Sequence, residues 1–124
     1  MLRLFEPSVR VLLVDPYRQS IEELTVNNDA DVFRKLVDFD CRNLLKMPLL
    51  SEDVLLLNAT PIHTNMIEKV THQYFTFSGG SKYYGRGVIC GWDDVFDVAK
   101  STSIKLQRAK NTIEFFQSPL VGNA

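Results

Sequence analysis

Val9-Arg10-Val11-Leu12-Leu13-Val14-Asp15-Pro16 is the stretch whose reading decides the fold. Its first six residues are apolar except for Arg10 and rich in β-branched side chains, as in a central, buried strand. Asp15-Pro16 ends it, because proline has no N–H to give a ladder and aspartate favours a turn. Past that turn, Ser20 to Val26 sets Ile21, Leu24 and Val26 among Glu22, Glu23 and Thr25. This predicts a second strand, paired with the first as a hairpin.

Moving outward, Asn27-Asn28-Asp29 predicts a turn and a helix start with Asn28 or Asp29 as N-cap. Val32, Phe33, Leu36 and Val37 then share one face, with Arg34, Lys35 and Asp38 on the other. The pattern is an amphipathic helix of roughly ten residues that covers one face of the sheet. Two short apolar runs follow, Leu44–Leu50 and Asp53–Asn58, and Pro48 makes the first an edge or irregular strand. Residues 59–72 read equally as one helical turn or as a loop. Strands are expected at Tyr74–Phe77, Val88–Cys90 and Thr112–Phe116, with a short one at Val95–Val98 and a second helix over Ser101–Asn111. The fold class is therefore α+β: a single small mixed, largely antiparallel sheet with one or two helices packed on it. Residues 9–116 form one domain, between a short leader (1–8) and a tail (117–124). Val11, Leu13, Phe33, Leu36, Phe75, Phe77, Val88 and Ile89 are its expected core.

The 124 residues are enough to bury a core without a disulfide or metal staple. Apolar residues make up 45% and charged residues 23%, which excludes a disordered composition. With 14 basic and 15 acidic residues the net charge is -1, which argues against a nucleic-acid partner except through a local patch. Cys41 and Cys90 have no cysteine neighbours and read as thiols of a reducing compartment, with a disulfide between them as the alternative. Residues 1–7 have neither a long apolar run nor a small-residue cleavage site, so they are not expected to be a signal peptide, and no run approaches the ~18 apolar residues of a membrane span. A cytoplasmic location and no membrane partner are expected.

The most distinctive cluster is Gly79-Gly80-Ser81-Lys82-Tyr83-Tyr84-Gly85-Arg86-Gly87, followed by Gly91. A phosphate-binding P-loop needs Gly-Lys-Ser/Thr opening a helix, but here Ser81 separates Gly80 from Lys82. A dinucleotide fingerprint fails too, since Gly85-Arg86-Gly87 runs into the strand-like Val88-Ile89-Cys90. The preferred reading is a hairpin whose glycines supply positive φ and close strand approach. Lys82, Tyr83, Tyr84 and Arg86 gather cations and aromatics there, suited to stacking a base, gripping an anion or serving as a protein-binding hot spot. Packing of Tyr84 in the core is the alternative.

Other candidates are weaker. His63 and His72 are too far apart in sequence for a local metal pair, so no metal is expected. Cys90 reads as a small core residue. Adjacent Glu22 and Glu23 point to opposite faces of a strand. Asp93-Asp94 suits a turn. No nucleophile elbow, kinase set or zinc-protease motif is present, so the chain is expected not to be an enzyme and to need no cofactor.

The order of these features resembles a family of small proteins of unknown function encoded by bacteriophages and mobile plasmids. The likeness runs through residues 9–116 and rests on Val9-Arg10-Val11-Leu12-Leu13-Val14-Asp15-Pro16, Tyr74-Phe75-Thr76-Phe77 and Tyr84-Gly85-Arg86-Gly87-Val88-Ile89-Cys90-Gly91-Trp92-Asp93. The chain has Leu57-Asn58-Ala59-Thr60-Pro61 where that family often carries an acidic turn, and it lacks the family's glycine after the aspartate. The resemblance implies a phage-like setting, in which a protein without catalytic motifs binds and redirects a host protein. A protein that sequesters a nucleotide-like anion at the glycine hairpin is the alternative, and a small hydrolase or transferase a third. A homodimer formed across an open sheet edge is also expected.

Overall fold

A computed structural model describes residues 5–39, 41–49, 52–59 and 73–117; residues 1–4 of the expected leader, 60–72 of the unread segment and 118–124 of the expected tail lie outside them. In chain order the elements are β1 (Ser8–Asp15), β2 (Ser20–Asn27), α1 (Ala30–Val37), β3 (Leu44–Pro48), β4 (Asp53–Asn58), β5 (Gln73–Phe77), β6 (Lys82–Tyr84), β7 (Gly87–Asp93), β8 (Val98–Lys100), α2 (Leu106–Thr112) and β9 (Ile113–Gln117). The fold is α+β and mostly antiparallel, as the sequence implies. Its strands divide over two sheets: a larger one ordered β2-β1-β7-β4-β3, with β8 also paired to β7, and a three-stranded one ordered β6-β5-β9.

β1 has a partner on each side. It pairs with β2 along its whole length, from Ser8↔Asn27 to Asp15↔Ser20, and with β7 through Leu12↔Ile89 and Leu13↔Val88. Successive side chains serve opposite faces. Val9 and Val11 join Val54, Leu56, Val88 and Cys90 beneath α1, whose buried residues are Phe33 and Val37. Leu12 and Val14 join Leu55, Leu57 and Ile89 on the other face, which the small sheet and α2 cover through Phe75, Ile113 and Ala109. The near-continuous apolar runs of β1, β4 and β7 follow from this double cover. Of the expected core, Val11, Phe33, Phe75, Val88 and Ile89 are buried. Leu13, Leu36 and Phe77 are half-buried at its margins.

The N-cap of α1 is Asp29, whose side chain accepts the Asp31 N–H at 2.9 Å. Asn28 instead donates its amide to the carbonyls of Glu6 and Ala99, pinning the approach to β1 against β8. Pro48 lies in an edge strand. The Leu49 N–H binds the Asp53 carbonyl, so the alternating ladder turns Pro48 outward, where its missing donor costs β4 nothing. Residues expected in the Val95–Val98 strand belong partly to a turn over 94–97, and pairing starts at Val98↔Asp93.

The second helix begins at Leu106 rather than Ser101. Asp53, 2% exposed on β4, explains the delay. Its Oδ1 accepts from Thr102 Oγ1 at 2.6 Å and from the Ser103 N–H at 3.1 Å, and its Oδ2 from Ser103 Oγ. From β1, Arg10 donates to the carbonyls of Thr102 and Ile104 and pairs with Glu23 at 2.9 Å, while its own carbonyl accepts the Thr102 N–H. These bonds hold residues 101–104 in an irregular, non-helical path against β1 and β4. Gly91 leaves room for that path: a Cβ there would stand 2.6 Å from the Ser101 carbonyl oxygen.

Replacing Asp53 by Ala takes the carboxylate acceptor from the buried Thr102 hydroxyl and from Ser103. The expected loss is on the order of 3 kcal/mol of stability. A urea denaturation midpoint that does not move would refute this role.

Candidate functional site

The four cationic and aromatic residues of the glycine hairpin do not form one loop cluster. Lys82, Tyr83 and Tyr84 are β6, so their side chains alternate across the small sheet. Tyr83 turns toward the larger sheet and packs on Phe75, with ring centroids 5.4 Å apart. It is half-buried at the margin of the core, on the inner face of the small sheet. Lys82 and Tyr84 lie on the opposite, outer face. Gly85, at φ 86°, then turns the chain toward β7. Beyond it Arg86 is half-buried, and its Nε donates to the Val37 carbonyl at the end of α1, 3.2 Å away.

The structure adds two residues that the sequence reasoning missed. On the outer face of the small sheet, Tyr74 pairs in register with Tyr84 on one side and Phe116 on the other. The three rings form a row across the strands. Tyr74 and Phe116 stack with centroids 5.1 Å apart and planes 14° from parallel, while Tyr74 and Tyr84 are 5.3 Å apart and tilted by 48°. The Lys82 ammonium stands 5.1 Å from the centre of the Tyr74 ring, within cation–π range. Phe116 is 37% exposed and Lys82 is exposed; the two tyrosines are half-buried. The next row of the same face is Lys82, Thr76 and Glu114, and the enclosed Thr76 hydroxyl has no hydrogen-bond partner among the described residues.

Tyr84 also borders a cavity of about 150 Å³ that it shares with Tyr17, Asp38 and Arg86. The Tyr17 phenol there has its pKa raised, first by burial and then by the Asp38 carboxylate, with Arg86 acting against them. Positive and negative groups thus face one another in this cavity. It is a polar corner at the end of the aromatic row rather than an anion trap.

The remaining candidates fall elsewhere. Asp93 Oδ1 accepts the Val95 and Phe96 N–H groups, so turn chemistry occupies that carboxylate. Cys90 is fully buried, and burial pushes its thiol up to about 12, with the Asp53 charge adding to the effect and Lys46 opposing it. The Cys41 thiol is raised as well, mainly by burial. His63 and His72 lie outside the described residues. Among the described residues no group of three or more His, Cys, Asp or Glu is placed to hold a metal, and no helix is long and apolar enough to cross a membrane. Comparisons of the chain with protein-family models, curated proteins and solved structures find no match.

Burial makes Cys90 a test of the folded state. At pH 8 the folded protein is expected to leave Cys90 unmodified by iodoacetamide, with alkylation proceeding only as the chain is unfolded in denaturant. Peptide mass spectrometry reads the outcome, and rapid modification in native buffer would contradict the packing.

Proposed function

We propose that this chain is a non-enzymatic binding protein that engages a partner protein through the outer face of its small sheet. The observation that carries the reading is the Tyr84–Tyr74–Phe116 row with Lys82 beside it. Tyrosine and phenylalanine offer large contact area with few torsions to freeze, and a sheet holds them in a fixed array before the partner arrives. Aromatic and cationic side chains set in such an array are the composition of an interface hot spot. Following the family resemblance, the partner is a host protein met by a chain carried on a phage or mobile element.

Physical detail favours this reading over its rivals. The cavity beside Arg86, at about 150 Å³, falls below the ~300 Å³ at which small-molecule sites begin. It accommodates one polar group of a partner more readily than a whole nucleotide. A nucleophilic enzyme draws no support from a buried thiol whose pKa is pushed up to about 12.

The test is a double change, Tyr84→Ala with Phe116→Ala, which removes both outer rings and leaves Tyr83 and Phe75 in place. Each hot-spot ring carries ~2 kcal/mol or more of binding, so the double variant should lose a stoichiometric partner that the unaltered protein retains on an affinity column. Its thermal melt should show only the smaller loss of ring pairing, on the order of 1–2 kcal/mol. Equal retention by both proteins, or no partner retained by either, would overturn the proposal.

A further inference from the structure

A second concave feature lies on the other side of the larger sheet, away from the aromatic row. A groove of about 420 Å³ opens between α1, β3 and the β7–β8 hairpin. Unlike the Arg86 cavity, it falls within the ~300–1,000 Å³ of small-molecule sites. Phe33 from α1, Leu44 from β3 and Leu56 from β4 line it, and Phe5, half exposed, stands at its margin with Trp92 of β7.

The polar groups of the lining define what would fit. The Asn28 amide is spent on the carbonyls of Glu6 and Ala99, at 2.9 and 2.8 Å. The Trp92 indole N–H is held by Asp97 Oδ1 at 3.1 Å. Neither of these donors draws a polar ligand inward. Lys46 differs. Its ammonium rests 4.3 Å from the centre of the Trp92 ring and 3.8 Å from the Asp97 carboxylate, beyond hydrogen-bonding distance. The Asp97 side chain is 81% exposed and already accepts the indole N–H, so this ion pair is a weak one. The groove therefore combines an apolar interior with a cation at its rim, its side chain 37% exposed and only weakly paired with the more exposed Asp97. An anionic head group anchored by a buried hydrocarbon body competes with Asp97 for it.

We propose that this groove binds a small amphipathic monocarboxylate, with its hydrocarbon body against Phe33, Leu44, Leu56 and Trp92 and its carboxylate on Lys46. The site is separate from the aromatic row and goes beyond the partner-binding role. It needs no covalent step and no cofactor.

Trp92 is the chain's only tryptophan and lines the groove, so its fluorescence reports occupancy directly. Titration with dodecanoate, below its micellar range, should give a saturable change with one ligand per chain by calorimetry. Each methylene removed, through decanoate to octanoate, should weaken binding by up to about fourfold. Dodecanol and dodecyltrimethylammonium, which share the chain but lack the anion, should bind at least tenfold more weakly. Lys46→Gln should lose that preference for the carboxylate while its melt stays close to that of the unaltered protein. Ala30→Phe, which fills the groove from an exposed position on α1, should weaken all three ligands. No saturable change with dodecanoate, equal binding of the three head groups, or a Trp92 signal that follows protein concentration instead of ligand would each overturn the proposal. The last of these would show a second copy of the chain occupying the groove.

Discussion

The buried carboxylate of Asp53 is the constraint on which one side of this protein depends. It sits on β4 at 2% exposure and takes hydrogen bonds from Thr102 and Ser103, residues that otherwise carry helix-compatible neighbours. Arg10 reaches the same segment from β1 and binds its carbonyls. Carboxylate and guanidinium thus lay residues 101–104 across the larger sheet and set the point where α2 starts. The start of α2 sets the start of β9, since Ile113 follows Thr112 without a linker. β9 in turn pairs with β5, which pairs with β6. The aromatic row on the small sheet is therefore tied, through β9, to polar contacts made from the larger sheet.

Much of the larger sheet is legible from local pattern. Val9–Val14 is too continuously apolar for anything but a doubly covered strand, and Asp29 with Phe33 and Val37 announces α1. Ser101–Leu106 is not legible in the same way. Its periodicity permits a helix, and the groups that forbid one, Arg10 and Asp53, lie 49 or more positions away in sequence. The division into two sheets is hidden for a related reason, since a strand's composition does not name its neighbours. At the candidate site the residue types are legible but their directions are not. Lys82-Tyr83-Tyr84 reads as a turn tip, and only pairing with β5 reveals that Tyr83 points inward while its neighbours point out. Tyr74 and Phe116 could be suspected only from alternation, because each adjoins a phenylalanine that the core claims, Phe75 or Phe115.

Sheet periodicity also gives the protein two unlike faces. Under α1 the larger sheet is packed by aliphatic side chains and Phe33, and the packing leaves a groove toward β3 and β8. On the opposite side the small sheet and α2 complete the core through Phe75 and Ala109, and the rings that alternate with them are turned outward. β7 serves both sides at once, with Val88 and Cys90 beneath the helix and Ile89 beneath the small sheet. At Gly91 it has no side chain, and the chain at Lys100 and Ser101 passes where a Cβ would stand.

Pro48 has a consequence for how copies of this chain can meet. It turns outward from β3, so that edge of the larger sheet offers a carbonyl with no matching donor. The other long edge, β2, runs for eight residues without a proline. A filament built by sheet extension needs two competent edges on every subunit, one to receive and one to offer. Among the described residues the two long edges of this sheet are therefore unequal: β3 is interrupted by Pro48, whereas β2 keeps an unbroken row of backbone groups, so a strand added from outside is received differently at its two ends.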